Sequence, residues 1–204
     1  MLKLAGTPRV SAVEAMDHDA LTDFSCGTEH EWERQLNSMV HMLADSGGPP
    51  DTRTYIVEDT SPGAGDAFIG VVAFFHWWPV RRRDPDTSPG GRAMYIQVLG
   101  ITAGYRKSRV RRDDTLQGRV PEIDGEVPIG AWLLAWTLEE IRSLWPAEQR
   151  PVWALVHKEN ARCHRMLRAQ DFERDEPGDV FERWIRGQAM NEQPPKRRRI
   201  IERD

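Results

Sequence analysis

The stretch from residue 94 to residue 160 constrains the fold of this 204-residue chain most, because it changes structural period in a fixed order. Met94-Tyr-Ile-Gln-Val-Leu-Gly-Ile101 is apolar and β-branched, the composition of a buried strand, and Gly100 within it marks a bulge or a point of close approach. A strand that bulges or splays leaves backbone N–H and C=O groups unpaired, and an amide-bearing ligand laid alongside can take them up. Thr102-Ala-Gly-Tyr-Arg-Lys107 follows as a polar, basic turn. After an interruption, Val127-Pro-Ile-Gly-Ala-Trp-Leu-Leu134 begins a helix, with Pro128 suited to its first turn and Gly130 admitting another group close to the backbone. Leu134, Leu138, Ile141 and Trp145 continue that helix as one buried face. Free N–H groups and the positive end of the dipole make such a helix start an anion site. Pro151-Val-Trp-Ala-Leu-Val156 reads as a second buried strand that delivers His157 to Asn160 to its end. Strand, helix, strand predicts a βαβ unit and hence a parallel pairing.

The rest of the chain packs around this unit. Residues 10–15 suit a first strand. Ala20-Leu-Thr-Asp-Phe-Ser-Cys-Gly27 leads into a helix with a capping box of Thr28 and Glu31 and an apolar stripe of Trp32, Leu36, Met39 and Leu43. Phe24 and Cys26 are expected to pack beneath that helix. Ser46-Gly-Gly-Pro-Pro-Asp51 is a turn cluster, followed by a hairpin of residues 54–58 and 67–78 around Ser61-Pro-Gly-Ala-Gly-Asp66. Its second strand is continuously apolar and therefore central. That strand ends in His76-Trp77-Trp78, expected at the sheet rim on the acceptor side. Residues 172–174 and 180–185, joined by Asp175-Glu-Pro-Gly-Asp179, form a closing hairpin, and residues 187–204 are a flexible polar and basic tail.

This order of elements resembles the GNAT (GCN5-related N-acetyltransferase) family. The resemblance rests on Val98-Leu-Gly-Ile-Thr-Ala-Gly-Tyr-Arg-Lys107, Ile129-Gly-Ala-Trp-Leu-Leu134, and the run from Val156 through Asn160 to Phe172. It implies an α+β fold with a mixed sheet of six to seven strands and about four helices, forming one domain over residues 1–186. It also implies acetyl-CoA as co-substrate, with Leu99, Gly100, Ile101, Arg106, Lys107, Ile129, Gly130, Ala131, Asn160 and Cys163 as cofactor-binding residues. Phe24, Cys26, Gly27 and Leu36 further resemble the approach to a helix in GNAT toxins that acetylate aminoacyl-tRNA.

Three departures from the family pattern stand out. About 18 residues, 108–125, interrupt the phosphate turn, and of the family's Arg/Gln-x-x-Gly-x-Gly/Ala only Gly130 matches. Leu167 stands where many members carry the Tyr that protonates the departing thiolate. Asp171 replaces the Gly before the final Phe. Histidine has the intrinsic pKa of a general base or acid, so His76 and His164 are the catalytic candidates left.

The implied activity is an N-acetyltransferase acting on a primary amine by direct attack. Two alternatives are a toxin-like acetyltransferase of aminoacyl-tRNA and a non-enzymatic acyl-CoA-binding module. Net charge is −4, yet between Arg81 and Arg119 ten Arg or Lys face four Asp. A basic segment in an acidic protein points to a local polyanion, either the coenzyme's phosphates or tRNA. The partners expected are a small-molecule or protein amine, tRNA along that segment, and a second copy of the chain as a homodimer. Cys26 and Cys163 are far apart and lack a ligand motif, so neither a disulfide framework nor a metal site is expected. No apolar run approaches 18 residues, which gives a cytoplasmic expectation with no membrane contact.

Overall fold

A computed structural model describes residues 4, 8–14, 17–65, 67–77, 93–111, 125–145 and 151–187. The expected excursion at 79–91, the interior of the interruption at 112–124 and the tail from 188 onward lie outside the described residues, as does most of the basic segment.

Among the described residues the strands are β1 (Arg9–Ala12), β2 (Arg53–Asp59), β3 (Ala67–Trp77), β4 (Ala93–Ile101), β5 (Arg109–Arg111), β6 (Glu126–Pro128), β7 (Val152–His157), β8 (Glu173–Glu176) and β9 (Phe181–Arg186). The helices are α1 (His18–Thr22), α2 (Glu31–Ser46), α3 (Ile129–Leu144) and α4 (Ala161–Ala169). Seven strands form one sheet in the order β1-β2-β3-β4-β7-β9-β8, and β5 and β6 pair separately. All neighbours are antiparallel except β4 and β7, the two strands that flank α3 in the chain. The crossover expected of a βαβ unit thus supplies the single parallel pairing at the centre of the sheet.

Each face of the sheet has its own core. Leu21, Phe24, Val40 and Leu43 from the α1–α2 side bury Val71, Ala73 and Val98. On the opposite face Leu133, Leu134, Leu138 and Leu167 from α3 and α4 pack on Val72, Phe74, Met94 and Ile96. Strand β3 alternates between these two cores, which is why it reads as one apolar run. Among the described residues, no helix is long and apolar enough to cross a membrane.

Three local expectations are corrected. The bulge of β4 lies near Gln97, where the register with β3 shifts between Ala73 and Phe74, whereas Gly100 pairs regularly with Val71. Gly100 is instead a close-approach point: a Cβ there would come within 2.6 Å of the Phe24 ring. The capping box of α2 is His30 with Glu33, not Thr28 with Glu31. The third residue of that helix is the fully buried one, so Glu33 takes the inward position and Trp32 turns to the side. Phe24 and Cys26 do pack beneath α2, each 2% exposed.

The described ends of the interruption pair with each other. Arg109, Val110 and Arg111 pair with Pro128, Val127 and Glu126 as β5 and β6. As a result the Ile129 N–H reaches the Ser108 carbonyl at 3.2 Å, and the basic turn abuts the start of α3 as if nothing intervened.

Candidate functional site

Strands β4 and β7 pair over only three residues, Met94–Val152, Tyr95–Trp153 and Ile96–Ala154, and then part. The bulge at Gln97 turns β4 away at the point where pairing stops. Antiparallel bonding alternates along a strand, and Thr102 donates to Ile69 across β3. Counting back from that bond, Leu99 and Ile101 point their backbone groups away from β3, into the gap.

A cavity of about 240 Å³ occupies that gap. From the predicted set, Leu99, Ile101, Arg106, Gly130, Asn160 and Cys163 line it together. Gly100, Lys107, Ile129 and Ala131 do not. Gly100 lies beneath Phe24. Lys107 is exposed beside the cleft, and Ile129 and Ala131 are buried in the core with the Ile129 N–H already taken by Ser108. Gly130 remains at the open end of α3, where the first turn of a helix has N–H groups without intrahelical partners. Nothing crowds it except the Met166 sulfur, which a Cβ would meet at 3.5 Å.

Asn160 is the N-cap of α4, its side chain accepting the Cys163 N–H at 3.0 Å. This explains the polar residue at the end of β7: it satisfies one of the orphan donors of the helix that follows. Cys163 follows on the cavity wall, and burial pushes its thiol up to about 12, so it stays a neutral packing group.

Arg106 has a role that the sequence reading missed. Its Nη2 contacts Glu33 Oε1 at 2.5 Å, with Glu33 0% exposed and the Arg106 side chain 27%. Burial alone would raise the Glu33 carboxyl, but the backbone N–H groups of His30 and Glu29 and the Arg106 guanidinium together hold it below its usual value. The pair ties the basic turn after β4 to the start of α2. Gly27 makes room for it, since its φ is +119° and a Cβ there would lie 2.9 Å from Glu33 Oε2. The Arg106 guanidinium also lies over the Trp32 ring at 5.2 Å, and Trp32 stacks on His30 at 5.4 Å.

Arg162 completes the cationic mouth by donating to the Arg106 carbonyl. Burial, and next the Arg106 charge, lower its pKa from the ordinary value. Two guanidiniums that crowd each other beside a helix N-terminus form a site an anion would relieve. Arg162, Trp32 and Met166 also line this cavity and were not anticipated. Spacing held a clue for the first and last, because both lie on α4 within two turns of Asn160.

Neither histidine candidate lies in the cleft. His76 pairs with Met94 and rests on Trp145, ring centroids 4.6 Å apart, at the carboxyl end of α3. Sixteen helical residues at about 1.5 Å each put that end about 24 Å from the start of α3 at Gly130. Antiparallel pairing carries the end of β3 to the start of β4, away from Gly130. His164 is 8% exposed on the sheet side of α4, stacked on Trp184 at 5.1 Å and 3.6 Å from Glu182. Burial, outweighing the nearby Glu182, lowers its pKa. Leu167, at the position of the missing Tyr, is 2% exposed in the core.

Sequence comparison alone finds no family model and no curated protein that matches. Comparison of structures does find likenesses. A crystal structure of AtaTR bound with acetyl-CoA is 17% identical, with a TM-score of 0.54 over 88% of this chain and 93% of that one. NAA60 of Arabidopsis thaliana in complex with a bisubstrate analogue is 18% identical, TM-score 0.52, covering 88% and 96%. Mutant forms of the spermidine/spermine N-acetyltransferase SpeG from Vibrio cholerae are 11% identical, TM-score 0.51, covering 89% and 95%. With a bulged fourth strand parting from its parallel neighbour and α3 opening onto the gap, the chain has the fold of the GNAT acetyltransferases.

Proposed function

We propose that this protein transfers an acetyl group from acetyl-CoA to a primary amine by direct attack. The observation that carries the proposal is the convergence of Leu99, Ile101, Arg106, Gly130, Asn160 and Cys163 on one cavity between the parted strands. The diphosphate takes the first-turn N–H groups of α3 near Gly130, with Arg106 and Arg162 on its flank. The pantetheine arm lies along β4, where the backbone groups of Leu99 and Ile101 pair with its amides as a strand would. The structural neighbours bound to acetyl-CoA or to a bisubstrate analogue support this assignment.

The amine nitrogen attacks the thioester carbonyl carbon, the C–N bond forms and the C–S bond breaks, and sulfur leaves with the bonding pair. Nitrogen gives up a proton and sulfur gains one. Backbone N–H groups of β4 in the gap stabilise the oxyanion. A thiol resembling free Cys has a pKa of about 8.5 and leaves without a protonated Tyr. General acid help supplies about 10²- to 10⁴-fold, whereas holding both reactants in place supplies about 7–11 kcal/mol, so Leu167 slows the reaction without abolishing it. The test is release of free CoA thiol from acetyl-CoA in the presence of an amine panel, with the product mass raised by one acetyl group. CoA release that ignores every amine would refute transfer.

Two observations favour other readings of the same cleft. Leu167 in the core favours a module that binds acyl-CoA without turnover, for which acetyl-CoA raises the Tm while no acceptor is consumed. Arg109 and Arg111, on β5 beside the basic turn, favour aminoacyl-tRNA as acceptor, for which label from acetyl-CoA appears on the aminoacyl group.

A further inference from the structure

On the α2 face of the sheet the parted strands open into a second space. Gln97 and Leu155 are the first residues beyond the last paired ones, Ile96 and Ala154. Together with Gln35, Ser38 and Met39 of α2 they line a cleft of about 390 Å³. Tyr95, Leu155 and Phe181 continue it into an apolar trough of about 400 Å³ over β7 and β9, where Phe75 and Trp153 join them. This part of the sheet is open, with Leu155 50% and Phe181 36% exposed.

The chemistry of that wall is unusual for a site that takes a cationic amine. Among the described residues no carboxylate lines either space. The charged side chain present is Arg183, whose guanidinium lies 4.5 Å over Trp153 and whose Nε meets Asp175 at 2.6 Å. Polar lining comes from neutral groups, and the amide oxygens of Gln35 and Gln97 are buried without a donor. An unpaired buried acceptor is unfavourable until a donor reaches it. A polycation would meet Arg183 and find no counter-charge, whereas one N–H-bearing group near Gln97 and an apolar substituent in the trough would match every feature.

Building on the transferase reading above, we infer that the acceptor is a monoamine with an aromatic or large aliphatic substituent close to its nitrogen. The amine sits between Gln35 and Gln97, and the substituent lies in the Tyr95–Trp153–Phe181 trough. The free amino end of a peptide or amino-acid derivative with a bulky first side chain has this chemistry; a polyamine does not.

The test measures acceptor binding directly, by calorimetry and by saturation-transfer NMR, with and without acetyl-CoA. The probes are L-phenylalanine amide, glycinamide and spermidine. Phenylalanine amide is expected to bind at least tenfold more tightly than either of the others. Leu155→Asn places a neutral polar group on a half-exposed position that the fold does not need buried. It is expected to weaken phenylalanine amide at least tenfold while the Tm and the affinity for acetyl-CoA stay unchanged. Spermidine binding as well as phenylalanine amide, or Leu155→Asn leaving the amide's affinity intact, overturns the inference. So does a concentration-dependent dimer that Leu155→Asn converts to monomer, because the trough would then hold a second copy. A separate titration that finds no acetyl-CoA binding defeats the transferase reading instead, and the acceptor measurements remain readable without it.

Discussion

Replacing Arg106 by Met keeps most of the side-chain volume and removes only the guanidinium that faces Glu33. Glu33 is fully buried and Arg106 is about one-quarter exposed. Breaking a wholly enclosed pair costs about 3–5 kcal/mol. Here the cost is lower, because Glu33 keeps the His30 N–H at 3.1 Å and Arg106 has access to water. A lost charge-assisted bond is worth about 1.5–3 kcal/mol, and the partly exposed stacking on Trp32 adds about 0.5 kcal/mol. The expected loss is therefore about 2–3 kcal/mol. At about 2–4 °C per kcal/mol for a chain of this size, the Tm falls by about 4–12 °C.

The pH dependence separates this from ordinary loss of packing. In the native protein the Glu33 pKa is lowered, so its contribution is present above the unfolded carboxylate value and is lost as pH falls through the folded one. Without Arg106 the burial effect is opposed only by backbone donors, and the pKa rises. The gap in stability between the two proteins is then full at neutral pH and narrows as pH falls from the variant's raised value through the native protein's lowered one. A double variant, Arg106→Met with Glu33→Gln, removes the stranded charge and is expected to be more stable than Arg106→Met alone. Denaturant unfolding across pH measures all three. A change under about 1 kcal/mol in Arg106→Met, well below the worth of a charge-assisted bond, or a double variant no better than the single, refutes the claim that this buried pair joins the basic turn to α2.

Gly100→Ala puts a methyl within 2.6 Å of the Phe24 ring, which is itself 2% exposed; overpacking of this kind costs about 1–3 kcal/mol, read as a lower Tm. His164 has a lowered pKa, so the unfolded chain binds its proton first and stability falls as pH drops below the ordinary value of about 6.5. His164→Phe, which keeps the stacking on Trp184, is expected to flatten that part of the Tm–pH curve. Cys163, with its thiol pushed up to about 12 by burial, is expected to resist alkylation by iodoacetamide at mildly alkaline pH in the folded protein and to react on unfolding, as read by mass spectrometry.

Local pattern made the central elements legible. The apolar run of β3, the strand at 93–101, the helix that starts after Pro128 and the capping Asn160 all follow from periodicity and turn chemistry acting over a few residues. Their order alone implied one parallel pairing, and β4–β7 is that pairing. The site was legible where a residue's place follows from its own strand or helix, as for Leu99, Gly130 and Asn160.

It was not legible where placement depends on partners distant in the chain. Glu33 and Arg106 are separated by 73 positions, and a carboxylate in a helical first turn gives no sign that it will be buried. The place of His76 is another case, because a strand's own residues do not say which end of the sheet they reach. The register with β4 decides that, and it puts His76 opposite Met94. The interruption after Ser108 reads in sequence as a break between the basic turn and the helix; three cross-strand pairs between β5 and β6 bring the two back together.

The central claim is that the amino end of α3 at Gly130 holds the coenzyme's diphosphate. Calorimetric titration of acetyl-CoA into the native protein and into Gly130→Asp tests it most directly. An acidic residue in the first turn is favourable for a helix by about 0.3–1 kcal/mol, and there is room for it, since the nearest contact of a Cβ is 3.5 Å. The account predicts a saturable isotherm for the native protein, with Kd within roughly 1 µM to 1 mM, and affinity at least tenfold weaker in Gly130→Asp at an equal or higher Tm. No heat up to roughly that upper limit in the native protein, or equal affinity in both, would contradict it.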